Sequence, residues 1–247
     1  ELRASLTIVS VTEPLPPIDA AAQAEIGAKD PFGKYEQLAE QRALQWLAAA
    51  QQLASQAGVT CETIHVKDSY PAIGIVETAE ASGADLIVMG PHAGAGRQDG
   101  ALHTVGRIGS TVEGVVRREK CPTLIVNPHP PEPAGRFAHI LVGVDFSAAC
   151  ECALCFTGPL AKHYKARVTV FHMIPIPPYP KYSVKDFEAD RRATGERLDY
   201  FCREYLEGTD WSHQIVGGAF SHIELLGAAK KVGADLIVLG SHTQQVA

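Results

Sequence analysis

Four groups of residues in this chain have the types and spacing to do chemistry. His92 and His242 each close a Gly-x-His at the end of an apolar run. Asp145 ends the run Ile140-Leu141-Val142-Gly143-Val144. A glycine-rich stretch from Gly90 to Gly109 leads into Ser110-Thr111-Val112-Glu113. Cys150, Cys152 and Cys155 crowd one short segment.

Each group has a chemical and a structural reading. A carboxylate at the carboxyl end of a strand stands where open α/β sheets bind ligands. That favours a binding role for Asp145 over a turn residue followed by Ser147 as a helix cap. Ser110 can hold a phosphate where a helix begins, or cap that helix in a box with Glu113, and the two roles are compatible. The three cysteines suggest a metal or redox centre, with Cys152 and Cys155 on one helical face. A structural zinc needs four ligands, and no second Cys/His cluster has the spacing, so small buried thiols are expected. His92 and His242 pair with no carboxylate or nucleophile in sequence. Rim histidines with local hydrogen bonds are therefore favoured over catalysts or metal ligands.

The pattern of the chain supplies the elements that must hold these groups. Leu6 to Val11 reads as a strand, followed by a proline-rich loop. From about Lys34 to Ala57, Leu38, Ala43, Leu47, Ala50, Leu53 and Ala57 recur at helical spacing. A short strand at 63–66 and a helix at 71–82, with Ile73, Val76 and Ala79 inward, come next. A strand at 85–89, the glycine-rich loop, a helix near 111–119 and a strand at 122–126 end the first half. Residues 127–135 hold four prolines in nine positions, which marks a linker. The second half reads as strand 140–145, helix 148–163, strand 167–173, helix 184–206, strand 213–217, helix 221–232 and strand 235–239. Strands alternating with helices predict parallel sheets with right-handed crossovers and helices on both faces.

Gly83-Ala84-Asp85-Leu86-Ile87-Val88-Met89-Gly90-Pro91-His92 returns as Gly233-Ala234-Asp235-Leu236-Ile237-Val238-Leu239-Gly240-Ser241-His242, eight of ten positions identical at an offset of 150. That offset is a domain length, so the chain is a tandem of 1–127 and 138–247 joined by linker 128–137. Aligned through the repeat, the first half lacks a counterpart of the Asp145 strand and its helix. The second half lacks a counterpart of the loop, helix and strand at 94–126. Residues beyond both ends, or another chain, are expected to complete them. The absent strand of the first half would be central, leaving unpaired edges.

The chain has 247 residues, 46% hydrophobic and 20% charged, within the range of globular domains. A net charge of -6 argues against a nucleic-acid surface, and no apolar run reaches membrane-span length. No signal peptide is visible, although the chain begins at Glu1. Six cysteines are too sparse for a disulfide scaffold, so reduced thiols in the cytoplasm are expected.

Three segments carry a likeness to a known family. Ile140 to Ser147, both Asp-Leu-Ile-Val-x-Gly-x-His segments, and Gly109-Ser110-Thr111-Val112 with Cys121-Pro122-Thr123-Leu124-Ile125-Val126 together resemble the universal stress protein family in its tandem form. The resemblance implies Rossmann-like domains of the adenine nucleotide alpha-hydrolase type, with parallel strands in the order 3-2-1-4-5. It implies roles in stress response, frequent dimerisation, and ATP binding in some members. Those members carry a loop Gly-x2-Gly-x9-Gly-(Ser/Thr), whose glycines let backbone N–H groups reach phosphate. Here Gly90 and Gly109-Ser110 fit its ends, Ala93 replaces the second glycine, and residues 94–108 are longer than the pattern. By resemblance, Gly90, His92, Gly109, Ser110, Thr111, Val144, Asp145, Phe146, Ser147, Met173, Gly240 and His242 belong to nucleotide sites, with Asp145 on the adenine or ribose side. Neither half holds a complete site on these residues alone.

The expectation is a non-enzymatic, cytoplasmic stress-response module that binds an adenine nucleotide, ATP with Mg, in at least one half. It would self-associate through its own two halves or as a homodimer, with no nucleic-acid or membrane partner. A ligand-free scaffold acting by protein contacts and a slow ATPase are the alternatives. No pyrophosphatase-type Ser-Gly-Gly-x-Asp-Ser loop and no paired acid and base are evident.

Overall fold

The computed structural model describes residues 4–14, 33–67, 69–91, 108–126, 136–176 and 182–241. The chain divides into two compact units, within 1–129 and 130–244.

Unit 1 runs β1 (Leu6–Val11), α1 (Gly33–Gln56), β2 (Cys61–Val66), α2 (Pro71–Ser82), β3 (Ile87–Met89), α3 (Ser110–Arg118) and β4 (Thr123–Ile125). β1 and β2 pair in parallel from Leu6 opposite Cys61 to Val11 opposite Val66, and β3 pairs in parallel with β4. α2 serves both pairs. Its Gly74 lies so close to β1 and β2 that an added Cβ would stand 3.0 Å from Val11 and 3.2 Å from Val66. Further along α2, Val76 and Ala79 are buried with Ile87 of β3 and Val115 of α3.

Unit 2 runs β5 (His139–Gly143), α4 (Ala148–Tyr164), β6 (Arg167–Pro175), α5 (Val184–Cys202), β7 (Asp210–Gly218), α6 (Ser221–Val232) and β8 (Leu236–Val238). Its sheet is parallel in the order β7-β6-β5-β8. β5 is central. Ile140 and Val142 face a core shared with Leu154 of α4 and Leu198 of α5, while Leu141 faces Ala228 and Ala229 of α6. A strand covered on both faces must be apolar at every position, which is why this run does not alternate. Ile140, Leu141, Val142, Leu154 and Leu198 are fully buried, and each contributes on the order of 2 kcal/mol.

The sheets are parallel α/β sheets, as expected. Numbered by the family order, unit 1 carries the pieces 3-2 and 4-5, and unit 2 carries 3-2-1-4. Among the described residues, no strand of unit 1 takes the place β5 holds between β6 and β8.

Two expectations need correction here. The repeated strands are shorter than read, 87–89 and 236–238, because Asp85 and Asp235 fall in the bend before each strand. Asp235 spends its carboxylate on the start of β5, where Oδ2 accepts the Ala138 N–H at 2.7 Å and Oδ1 the His139 N–H at 3.2 Å. The inward face of α1 is also narrower than expected. Ala43 and Leu47 are buried, but Leu38 and Leu53 are exposed, as is Ile73 of α2. In unit 2 the matching layer holds α4 beside α5, and among the described residues of unit 1 nothing stands beside α1 in that way. No helix among the described residues is long and apolar enough to cross a membrane.

Candidate functional site

The tip of β5 is built by one strained residue. Val144 is buried and its N–H donates to Phe171 O at 2.9 Å, continuing the ladder one residue past β5. Phe146 then adopts φ 65°, a left-handed conformation that a bulky side chain rarely takes. Such strain persists only where surroundings over-determine it. Those surroundings are the His172 ring at 5.0 Å, the Phe201 ring at 5.4 Å, and the Arg197 guanidinium 3.8 Å above the Phe146 ring centroid. His172 Nδ1 lies 2.7 Å from Val144 O, and since a carbonyl only accepts, Nδ1 carries the proton.

The reversal at Phe146 turns the Asp145 carboxylate back toward the first turn of α4. Its Oδ1 accepts the Ser147 N–H at 3.0 Å and the Cys150 thiol at 2.8 Å. Ser147 caps α4, its hydroxyl accepting the Cys150 N–H at 3.4 Å. Burial first, and the neighbouring Asp145 second, push the Cys150 thiol up from its ordinary range. It therefore stays protonated at neutral pH and serves as a donor. Asp145 itself is exposed, beyond the carboxyl end of the strand.

β8 is the neighbour of β5, with Val142 opposite Val238. Gly240, two residues beyond β8, therefore rises beside the Asp145 tip. A Cβ there would stand 2.4 Å from the Ala149 carbonyl, so glycine is needed for close approach to α4. Met173, on β6, faces the other way, into the α6-side core with Leu141 and Phe171.

In unit 1 the structure brings Gly90 and Gly109 together. Gly109 donates its N–H to Pro91 O at 2.9 Å, which ties the start of α3 to the end of β3. Ser110 and Thr111 form the first turn of α3. That tie also overturns the expected capping box. Gly109 is the N-cap, Ser110 is already helical, and among the described residues no side chain caps the end. Glu113 pairs instead with Arg117 at 2.6 Å. His92, His242 and most of the 94–108 loop lie outside the described residues.

The cysteine expectation holds only in part. Cys150 and Cys202 are buried, but Cys152 and Cys155 are exposed. The inward stripe of α4 is Cys150, Ala153, Leu154, Thr157, Gly158 and Ala161, and its helical period leaves 152 and 155 on the opposite face. Sequence reasoning missed Cys150 as the partner of Asp145, although its place three residues after a capping Ser was a usable signal. Arg197, His172 and Phe201 reach Phe146 through tertiary packing that no local pattern announces. A depression of about 510 Å³ lies elsewhere, along α5 and β7. Its walls are occupied by paired charges, Arg191 with Glu188 and His213 with Asp199.

Comparison with known proteins supplies the frame for these two rims. The model of the universal stress protein family matches the chain twice, over residues 1–127 and 136–245. The fold is similar to a universal stress protein from Archaeoglobus fulgidus DSM 4304, at a TM-score of 0.63 and 22% identity, covering 94% of this chain and 74% of that one. It is also similar to a putative universal stress protein from Pseudomonas aeruginosa UCBPP-PA14, at a TM-score of 0.56 and 16% identity, covering 96% of this chain and 83% of that one. No curated protein matches the chain.

Proposed function

The chain belongs to the universal stress protein family, and on that premise we propose that it is a stress-response module that binds an adenine nucleotide at the β5 tip without hydrolysing it. Asp145 carries this proposal. It is an exposed carboxylate at the carboxyl end of a central parallel strand, fixed by the Ser147 N–H and the Cys150 thiol. In this role Asp145 accepts hydrogen bonds from the adenine or ribose side of the ligand, and Phe146 and Arg197 support the turn that aims it.

A nucleotide held by unit 1 on its own would set its phosphates at the start of α3, where the N-cap Gly109 has no side chain and the helix dipole favours anions. The phosphates would supply most of the ligands for Mg, since no group of three or more His, Cys, Asp or Glu converges among the described residues. The six free thiols favour a reducing, cytoplasmic setting, and self-association of the two units or of two chains belongs to the same proposal.

Thermal melts of the full chain with increasing Mg-ATP test the proposal. The expected result is a rise in Tm that grows with nucleotide concentration and is abolished by Asp145→Ala. No shift at millimolar Mg-ATP overturns it. Steady phosphate release that Ser110→Ala abolishes would overturn the non-enzymatic part.

A second reading, a ligand-free module acting through protein contacts, draws support from exposed apolar residues. Phe220 at the N-cap of α6, Ile223 and Leu226 on it, and Leu239 beyond β8 lie uncovered.

A further inference from the structure

Cys152-Ala153-Leu154-Cys155 is a Cys-x2-Cys on the outer face of α4, with both thiols exposed. On a helix, residues three apart are surface neighbours, about 5–6 Å between Cβ atoms. A disulfide asks for about 3.5–4.5 Å between Cβ atoms, so closing one here requires the intervening turn to tighten.

The helix is weakened at the place where it would have to give. Pro159 lies inside α4. It has no N–H, so the Cys155 carbonyl lacks its i+4 helical donor. Thr157 Oγ1 donates to Ala153 O at 2.7 Å, a side-chain bond that competes with the helical ladder. Beyond this point the helix is held: a Cβ on Gly158 would stand 2.1 Å from Tyr205 O, so the helix lies hard against that backbone. The segment between Cys152 and Cys155 is thus open to distortion on one side and anchored on the other.

We propose that Cys152 and Cys155 form a reversible redox site that closes to an intrahelical disulfide, with low-molecular-weight disulfides as the co-reactant. One thiolate attacks the S–S bond of the small disulfide, forming a mixed disulfide and expelling one small thiol. The second protein thiolate attacks the protein-side sulfur of that mixed disulfide and expels the other small thiol. The two cysteines are oxidised, the small disulfide is reduced, and the two protein thiol protons end on the two released thiols. A strained, exposed disulfide of this kind is easily reduced again. Its effect falls on the helix whose first turn holds Asp145, although the site stands independently of nucleotide binding.

The test is treatment of the native full chain with oxidised glutathione, followed by thiol counting and proteolytic mapping by mass spectrometry. The expected product is a Cys152–Cys155 link that dithiothreitol reverses, with Cys150 and Cys202 left as thiols. Cys152→Ser and Cys155→Ser each remove the link and leave a glutathione adduct on the remaining cysteine. Pro159→Ala returns a helical hydrogen bond to the Cys155 carbonyl and slows ring closure about fivefold. Glutathione adducts that persist on the parent protein, a link between any other pair, or closure in Pro159→Ala as fast as in the parent would overturn the proposal.

Discussion

Cys150 and Asp145 hold each other from both directions. The thiol donates to Asp145 Oδ1 across 2.8 Å, and the Asp145 N–H donates to the sulfur across 3.2 Å. The arrangement joins the tip of β5 to the first turn of α4 at the place where a ligand would meet the sheet. Cys150→Ala removes a donor to a charged acceptor and a buried side chain together. Its expected cost is about 1–3 kcal/mol in chemical denaturation. Cys150→Ser keeps a donor and should retain more of the Mg-ATP response in thermal melts than Cys150→Ala. Equal responses from the two variants would mean that the thiol does not position Asp145.

Gly240 should not tolerate even a methyl group. The main chain of Ala149 stands 2.4 Å from where that methyl would lie, and backbone yields less readily than a side-chain end. Gly240→Ala is expected to lower stability by about 1–3 kcal/mol through overpacking. Urea unfolding measures this. An unchanged midpoint would show that β8 and α4 are not in close contact in solution.

The duplicated halves give matched positions in different surroundings. Val76 and Leu226 stand 150 residues apart at equivalent places on α2 and α6. Val76 is 9% exposed against α3, while Leu226 is 60% exposed. Val76→Ala should cost about 2 kcal/mol, and Leu226→Ala about 0.5 kcal/mol or less. Hydrogen exchange of each unit reports the two effects separately. A larger loss at Leu226 would reveal that another surface covers α6 in solution.

Alkaline pH should weaken unit 2. Cys202 is fully buried, and burial, with Asp199 and then Cys150 adding, pushes its thiol up to about 12 from 9.0. The raised folded value means that the native state keeps a proton the unfolded chain releases. Its stabilisation is whole below 9.0 and is lost as pH rises through about 12. Within that window the expected slope is up to about 1.4 kcal/mol per pH unit from this thiol. Cys202→Ala should be less stable at neutral pH but should show a flatter alkaline limb. Identical limbs in the two proteins would remove Cys202 as the cause.

Much of the architecture was legible because it depends on local pattern. The α2 and α6 helices end at Gly83 and Gly233, in left-handed conformations with φ 62° and 67°, where only glycine sits without strain. Pro71 marks the start of α2 and these glycines mark the end of both, and the helices were read to the residue. Leu38 and Leu53 were misread because periodicity finds an apolar face but not what covers it. The Ser110 box was misread because the Gly109–Pro91 hydrogen bond starts the helix one residue early, and that bond joins positions on either side of a long loop.

The sequence by itself determined that this is a duplicated parallel α/β protein and that Asp145 closes an apolar strand run. Those properties follow from hydrophobic period, turn chemistry and an internal repeat, all of which act over a few residues or compare the chain with itself. Only the tertiary structure decided that Cys150 grips Asp145, that Arg197 covers the strained Phe146, and that Cys152 and Cys155 face outward while Cys202 is sealed in. Those relations join residues on separate elements or depend on which helix face the sheet buries, and packing of the whole unit settles both.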